Sequence, residues 1–138
     1  MLKSGGKSAM TDYRGLIPLL PTDCIEETLH FYQEVLGFEV ADSRYEQGGL
    51  EWVRLRGGRA QIMFYSPMAL GNVPPEFKRP STLMLYLQTE NLSALHLRLK
   101  GEGYGVSAIE STFYGMQEFE LADPNGYTVK FGEAVIDI

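Results

Sequence analysis

The chain repeats one pattern of its own at an offset of about 67 positions. The first copy opens with the apolar run Leu16–Leu20, followed by Pro21 and Asp23. A helix-spaced stretch comes next and closes on Leu36-Gly37-Phe38. The second copy opens with Leu83–Gln88 and Glu90, continues through another helix-spaced stretch and closes on Gly101-Glu102-Gly103-Tyr104. Two copies are too few for a solenoid, which stacks about three or more repeats to cover its faces. They suffice for a pseudo-symmetric pair of modules with a cleft between them, an architecture that favours a small-molecule site over a scaffold.

Periodicity fills in each copy. Leu16–Leu20 reads as a buried strand. Thr22 or Asp23 is placed to cap a helix whose first turn carries Glu26 and Glu27, where the helix dipole favours anions. Ile25, Leu29, Tyr32 and Leu36 recur at helical spacing, and Gly37 is placed as the C-cap glycine. Strands are expected over 38–45, 50–55 and 60–65, separated by the turns Gly48-Gly49 and Gly57-Gly58. In the second copy, strands are expected over 82–88, 106–109, 117–121 and 127–131. Asn91 is expected to cap a helix whose apolar face is Leu92, Leu95, Leu97 and Leu99. Asp123-Pro124-Asn125-Gly126 has the residues a tight turn demands. The order is βαβββ twice. Module one spans about 14–66, a proline-rich linker about 67–81, and module two about 82–133 of a single domain over 14–138. Residues 1–13 read as a polar, mobile tail.

Charge narrows the partners. Residues 1–80 carry nine basic and ten acidic residues, and residues 81–138 carry three and eight. No Lys/Arg cluster is present to neutralise phosphates, so nucleic acid is not an expected partner. No apolar run approaches the ~18 residues of a membrane span, so neither is a membrane. The single cysteine, Cys24, excludes an internal disulfide, fits a reducing compartment and points to a cytoplasmic location. It reads as a half-buried thiol, because no histidine but His30 lies near it in sequence.

Two segments carry a family resemblance. Phe31-Tyr32-Gln33-Glu34-Val35-Leu36-Gly37-Phe38 resembles the helix-end signature of the glyoxalase/bleomycin resistance protein/dioxygenase (vicinal oxygen chelate) superfamily. Tyr114-Gly115-Met116-Gln117-Glu118-Phe119, running on to Asp123-Pro124-Asn125-Gly126-Tyr127, resembles its second-module signature. The resemblance covers roughly residues 14–133. It implies an α+β glyoxalase-like fold: two tandem βαβββ modules forming an open, curved eight-stranded mixed sheet, helices on the convex side, the site on the concave side. It also implies a homodimer.

Enzymes of that family hold a divalent metal with His, Gln or Glu from the first and last strand of each module. Carried over by the two signatures, those positions hold Ile17, Met63, Met84 and Lys130 here. An alkyl group, two thioethers and an ammonium do not serve a hard divalent cation. No metal, no other cofactor and no catalytic residue are therefore expected. His30 and His96 lie on the two helices and read as packing residues. Strand alternation sets Tyr65 on the face of Met63, and Tyr86 on the face of Met84. The expected ligand-binding set is Trp52, Met63, Tyr65, Met84, Tyr86, Tyr114, Met116, Glu118 and Lys130, converging on one cavity. That set suits a metal-independent protein sequestering an aromatic or cationic small molecule, as bleomycin-resistance proteins do. A superfamily lyase, isomerase or dioxygenase with displaced ligands, and a noncatalytic interaction module, remain as alternatives.

Overall fold

The computed structural model describes residues 11–67 and 82–135. The expected tail and linker lie outside them, apart from residues 11–13 and Pro67. Module one runs β1 (Leu19–Pro21), α1 (Ile25–His30) with a π-helical continuation (Phe31–Val35), β2 (Glu39–Glu46), β3 (Gly49–Gly57) and β4 (Ala60–Tyr65). Module two runs β5 (Met84–Gln88), α2 (Leu92–Gly101), β6 (Glu110–Ser111), β7 (Met116–Ala122) and β8 (Thr128–Ala134). The βαβββ order thus occurs twice, in the α+β arrangement the repeat predicts.

The strands divide into two four-stranded mixed sheets, ordered β1-β4-β3-β2 and β5-β8-β7-β6. In each, the first strand pairs in parallel with the last and the remaining pairs are antiparallel. The two sheets are therefore topological copies. The eight strands do not form one continuous hydrogen-bonded sheet among the described residues. The edge strand β1 has only three residues, follows Pro18 and ends on Pro21, and neither proline has the N–H group a second ladder needs.

Each helix covers one face of its own sheet. Alternation sends Val53, Leu55, Ile62 and Phe64 to that face in sheet one, and Phe119, Leu121, Val129 and Phe131 in sheet two. All eight are buried and belong to one apolar cluster that draws on both modules. Burying each such side chain contributes about 1.5–3 kcal/mol. The π-helical stretch widens the turn at the end of α1, so that Phe31, Tyr32 and Val35 are all buried. Gly37, at φ +80, then reverses the chain into β2, as the sequence predicts. Its neighbour's amide, Phe38 N, donates to Tyr32 O at 2.8 Å.

Several local expectations change. The run Leu16–Leu20 is a strand only from Leu19 and is not buried, Leu16 being 85% exposed. The strand expected over 106–109 lies instead at Glu110–Ser111. Leu97 is exposed, because it lies five residues from Leu92 and so well off the stripe of Leu92, Leu95 and Leu99. Asn91 sits at φ +58 and makes no side-chain cap; the carboxylate of Glu133 on β8 instead accepts from Asn91 N at 2.9 Å and Leu92 N at 3.0 Å. At the start of α1, Cys24 occupies the capping position without a side-chain cap bond, and Thr22 Oγ1 accepts from Cys24 N at 3.0 Å.

A polar clasp joins the modules. Tyr32 Oη donates to Asp123 Oδ2 at 2.8 Å, and the amides of Asn125 and Tyr127 donate to Asp123 Oδ1 at 2.8 and 3.0 Å. Thr22 Oγ1 donates to Asn125 Oδ1 at 2.5 Å, and Tyr127 Oη donates to Pro21 O at 2.7 Å. Burial raises the Asp123 carboxyl above the usual aspartate range, with these donors opposing it. Burial first, and Asp123 second, push Tyr127 up to about 12 and Tyr32 well above an ordinary tyrosine. The tight turn closes as expected, with Gly126 N donating to Asp123 O at 3.0 Å. No helix among the described residues is long and apolar enough to cross a membrane.

Candidate functional site

The face of each sheet that its helix leaves open carries the side chains with chemistry. On sheet one, register sets Trp52 opposite Tyr65, Arg54 opposite Met63 and Arg56 opposite Gln61. Arg54 Nη1 donates to Gln61 Oε1 at 2.9 Å. Leu19 of β1 is the residue set against Met63; Ile17 falls two residues before that strand. A cleft of about 600 Å³ opens at one end of this face, lined by Leu19, Trp52, Tyr65, Asp42, Arg44 and Glu51 among others. Its floor is aromatic. Its rim holds the Arg44–Glu51 pair, 3.6 Å apart.

On sheet two, β5 sets Met84, Tyr86 and Gln88 opposite Thr128, Lys130 and Gly132 of β8. Across β8, Lys130 meets Glu120 of β7, and Gly132 meets Glu118. Glu118 is 5% exposed. Its Oε2 accepts from Tyr86 Oη at 2.6 Å and also from Tyr114 Oη. Lys130 Nζ stands 3.6 Å from Glu118 Oε1 and 3.6 Å from Glu120 Oε1, close enough for ion pairs though long for hydrogen bonds. The Tyr114 and Tyr86 phenols hold the Glu118 carboxyl below the usual glutamate range. Tyr86 is raised by burial and by its bond to Glu118, and Tyr114 by that bond first. Glu118 is thus an ionised carboxylate under two phenols that remain protonated at neutral pH.

Of the nine expected ligand-binding residues, Tyr86, Tyr114, Glu118 and Lys130 meet in this one cluster. Met116 shares their face at the start of β7, opposite Ala134. Met84 shares it too and turns toward a second cavity of about 350 Å³ at the seam between the modules, lined also by Tyr86, Gln61, Arg59, Leu16 and Pro18. Trp52, Met63 and Tyr65 occupy the open face of the other sheet. The single cavity expected from alternation is therefore two open faces and a seam within one chain. Alternation fixes a face within a sheet and says nothing of how two sheets stand to each other.

Both histidines lie on the helix side, as expected. His96 packs edge-on against Phe119 with ring centroids 4.8 Å apart, and its Nε2 is 2.9 Å from Ser107 O. His30 lines a crevice with Glu26, Glu27 and Phe31. Cys24 is half-buried. Sequence reasoning overlooked Gly132, Glu120 and Arg44. Only Gly132 carried a signal, being a glycine inside a strand, which often marks a close approach.

The positions that hold a metal in related enzymes present thioethers, an ammonium and aliphatic carbons here, so their donor chemistry does not fit one. Glu118, the buried carboxylate nearby, is engaged by Tyr86, Tyr114 and Lys130.

The sequence model described as Glyoxalase/Bleomycin resistance protein/Dioxygenase superfamily matches residues 17–131. No curated protein matches. Among solved structures, TnmS3, an antibiotic binding protein from Streptomyces sp. CB03234, is 21% identical, with 91% of this chain and 98% of that chain covered at a TM-score of 0.70. A bleomycin-binding protein complexed with bleomycin is 22% identical, with 89% and 98% covered at a TM-score of 0.67. The lactoylglutathione lyase of Agrobacterium tumefaciens is 16% identical, with 88% and 95% covered at a TM-score of 0.67. At such identities the likeness shows the fold, which binders and a lyase share.

Proposed function

We propose that the chain, which belongs to the glyoxalase/bleomycin resistance protein/dioxygenase superfamily, is a metal-independent binding protein that sequesters an aromatic or cationic small molecule on its open sheet faces. The observation that carries this reading is the Glu118 cluster. In place of a set of metal donors, this chain gathers one carboxylate held by Tyr86, Tyr114 and Lys130. What remains accessible is aromatic and soft: Tyr86, Tyr114, Met84 and, on the other sheet, Trp52 and Tyr65. Such surfaces stack on flat ligands and attract cations. That an antibiotic binding protein and a bleomycin-binding protein share the fold supports the same direction.

The reading includes a homodimer. Leu19, Met84 and Tyr114 are each about half exposed on the open faces. A second copy related by a two-fold axis would cover such apolar surface and turn the open faces into closed clefts. A single domain over residues 14–138 belongs to the proposal as well, supported by the apolar cluster that spans both modules. So does a cytoplasmic location, supported by the one free thiol, Cys24.

Native mass spectrometry of the purified chain tests these points together. The expected result is a dimer that carries no stoichiometric divalent metal and retains a small organic molecule. About one Zn, Ni, Fe or Mn held tightly per chain would instead favour the enzyme reading. A monomer at all concentrations, with nothing bound, would overturn the binding reading.

A further inference from the structure

We infer that Gly132 sets the ligand preference of the sheet-two face: by letting Tyr86 lie across β8 onto Glu118, it builds an electron-rich aromatic platform that selects planar cations over neutral molecules of the same shape. This deepens the binding reading above and rests on it.

The geometry begins with strand order. Tyr86 is on β5, Glu118 on β7, and β8 runs between them. Tyr86 reaches Glu118 only by crossing β8, and it crosses at Gly132. A Cβ at position 132 would lie 2.5 Å from Tyr86 Cζ and 2.9 Å from Cε1, with the hydroxyl oxygen nearer still. No side chain fits there while the ring does. Backbone conformation does not demand this glycine, since Gly132 is absent from the positive-φ glycines and sits in a regular ladder. Its role is to leave space.

The consequence is electrostatic. A phenol that donates to a carboxylate gains negative character on its oxygen, and its ring face holds a cation more strongly. Both Tyr86 and Tyr114 donate to Glu118, so one buried carboxylate enriches two rings. Their rings stay accessible, Tyr86 at 41% and Tyr114 at 53% exposure. Lys130, the one cation of the cluster, is matched against two carboxylates, Glu118 and Glu120, so the local balance stays negative. A flat cation finds two polarised ring faces; a flat neutral molecule finds only stacking.

The test compares N-methylacridinium with neutral acridine by fluorescence titration, at a pH where acridine is uncharged. Wild type should favour the cation by about 2- to 30-fold, the range that a cation–ring contact supplies. Gly132→Ala should abolish that preference, because Tyr86 is displaced into solvent while the strand keeps its backbone. Tyr86→Phe removes only the hydroxyl that donates to Glu118 and keeps the stacking ring, so the ratio of cation to neutral affinity should fall. This variant keeps the test decisive should Gly132→Ala fail to fold. A readout apart from binding is the ring NMR signal of Tyr86, assigned with Tyr86→Phe. Its titration should begin at lower pH in Gly132→Ala, once the bond to Glu118 is broken. Equal affinity for the two dyes in wild type, or a preference retained in Gly132→Ala, overturns the inference and leaves the binding reading standing. If neither dye binds, the inference falls alone when native mass spectrometry shows a retained molecule, and both fall when it shows none.

Discussion

Tyr32→Phe removes one oxygen atom and should cost about 1.5–3 kcal/mol of stability, the range for a hydrogen bond to a charged group. The structure supports the upper part of that range. Tyr32 is 1% exposed and Asp123 5%, so water does not replace the lost donor. With the hydroxyl gone, Asp123 Oδ2 keeps only the Asn125 amide at 3.3 Å. The ring itself stays packed, against Phe31, Phe38 and Phe64 at centroid distances of 5.2, 5.8 and 5.1 Å. The change therefore isolates the clasp between the modules from the core beneath it. It also has a pH signature. Burial raises the Asp123 carboxyl and the Tyr32 bond opposes that, so the variant's carboxyl should rise further. A carboxyl whose folded pKa exceeds its unfolded value binds its proton more tightly in the folded state. Stability then falls as pH rises from the ordinary aspartate value through the raised one. The deficit of Tyr32→Phe should be largest at neutral pH and shrink in acid, where Asp123 is protonated in both proteins. Urea unfolding of both proteins across that range measures it, with unchanged m-values expected. A deficit under about 0.5 kcal/mol at neutral pH, below even a typical neutral hydrogen bond, would refute the reasoning; so would one that does not vary with pH.

Phe64→Ala, at a fully buried position packed against Tyr32, should lower the urea-derived stability by about 3–5 kcal/mol. Glu133→Ala removes both acceptors at the start of α2 and should cost about 0.5–2 kcal/mol, with amide exchange accelerating first at Asn91 and Leu92. Glu118 has a folded pKa below its unfolded value, so its stabilisation is present above the ordinary glutamate pKa and lost as pH falls through the folded one. Glu118→Gln should flatten the acid limb of the stability profile, and an unchanged limb would count against the cluster. Tyr86→Ala should weaken binding of N-methylacridinium at least several-fold, within the worth of one ring contact, while His30→Ala on the helix side leaves it unaltered.

What the sequence determined by itself was everything that short-range spacing encodes. The offset between the copies predicted two βαβββ modules, and the sheets are topological copies. Alternation placed Met63 with Tyr65, and Met84 with Tyr86 and Gln88, on the faces they occupy. Gly37 and the Asp123–Gly126 turn act as their residue types require. Some expectations changed on local spacing, as at Leu97, and others on partners distant in sequence. Asn91 looked like a cap, but the cap comes from Glu133, 42 residues on. The tertiary structure alone decided that the strands divide into two sheets, that Tyr32 meets Asp123 across 91 residues of chain, and that Tyr86 crosses Gly132 to reach Glu118. The physical reason is that periodicity reports which way a side chain points relative to its own backbone. Which group waits there is set by register, by the order of strands and by the space a neighbour leaves empty, and none of these is a property of a single segment.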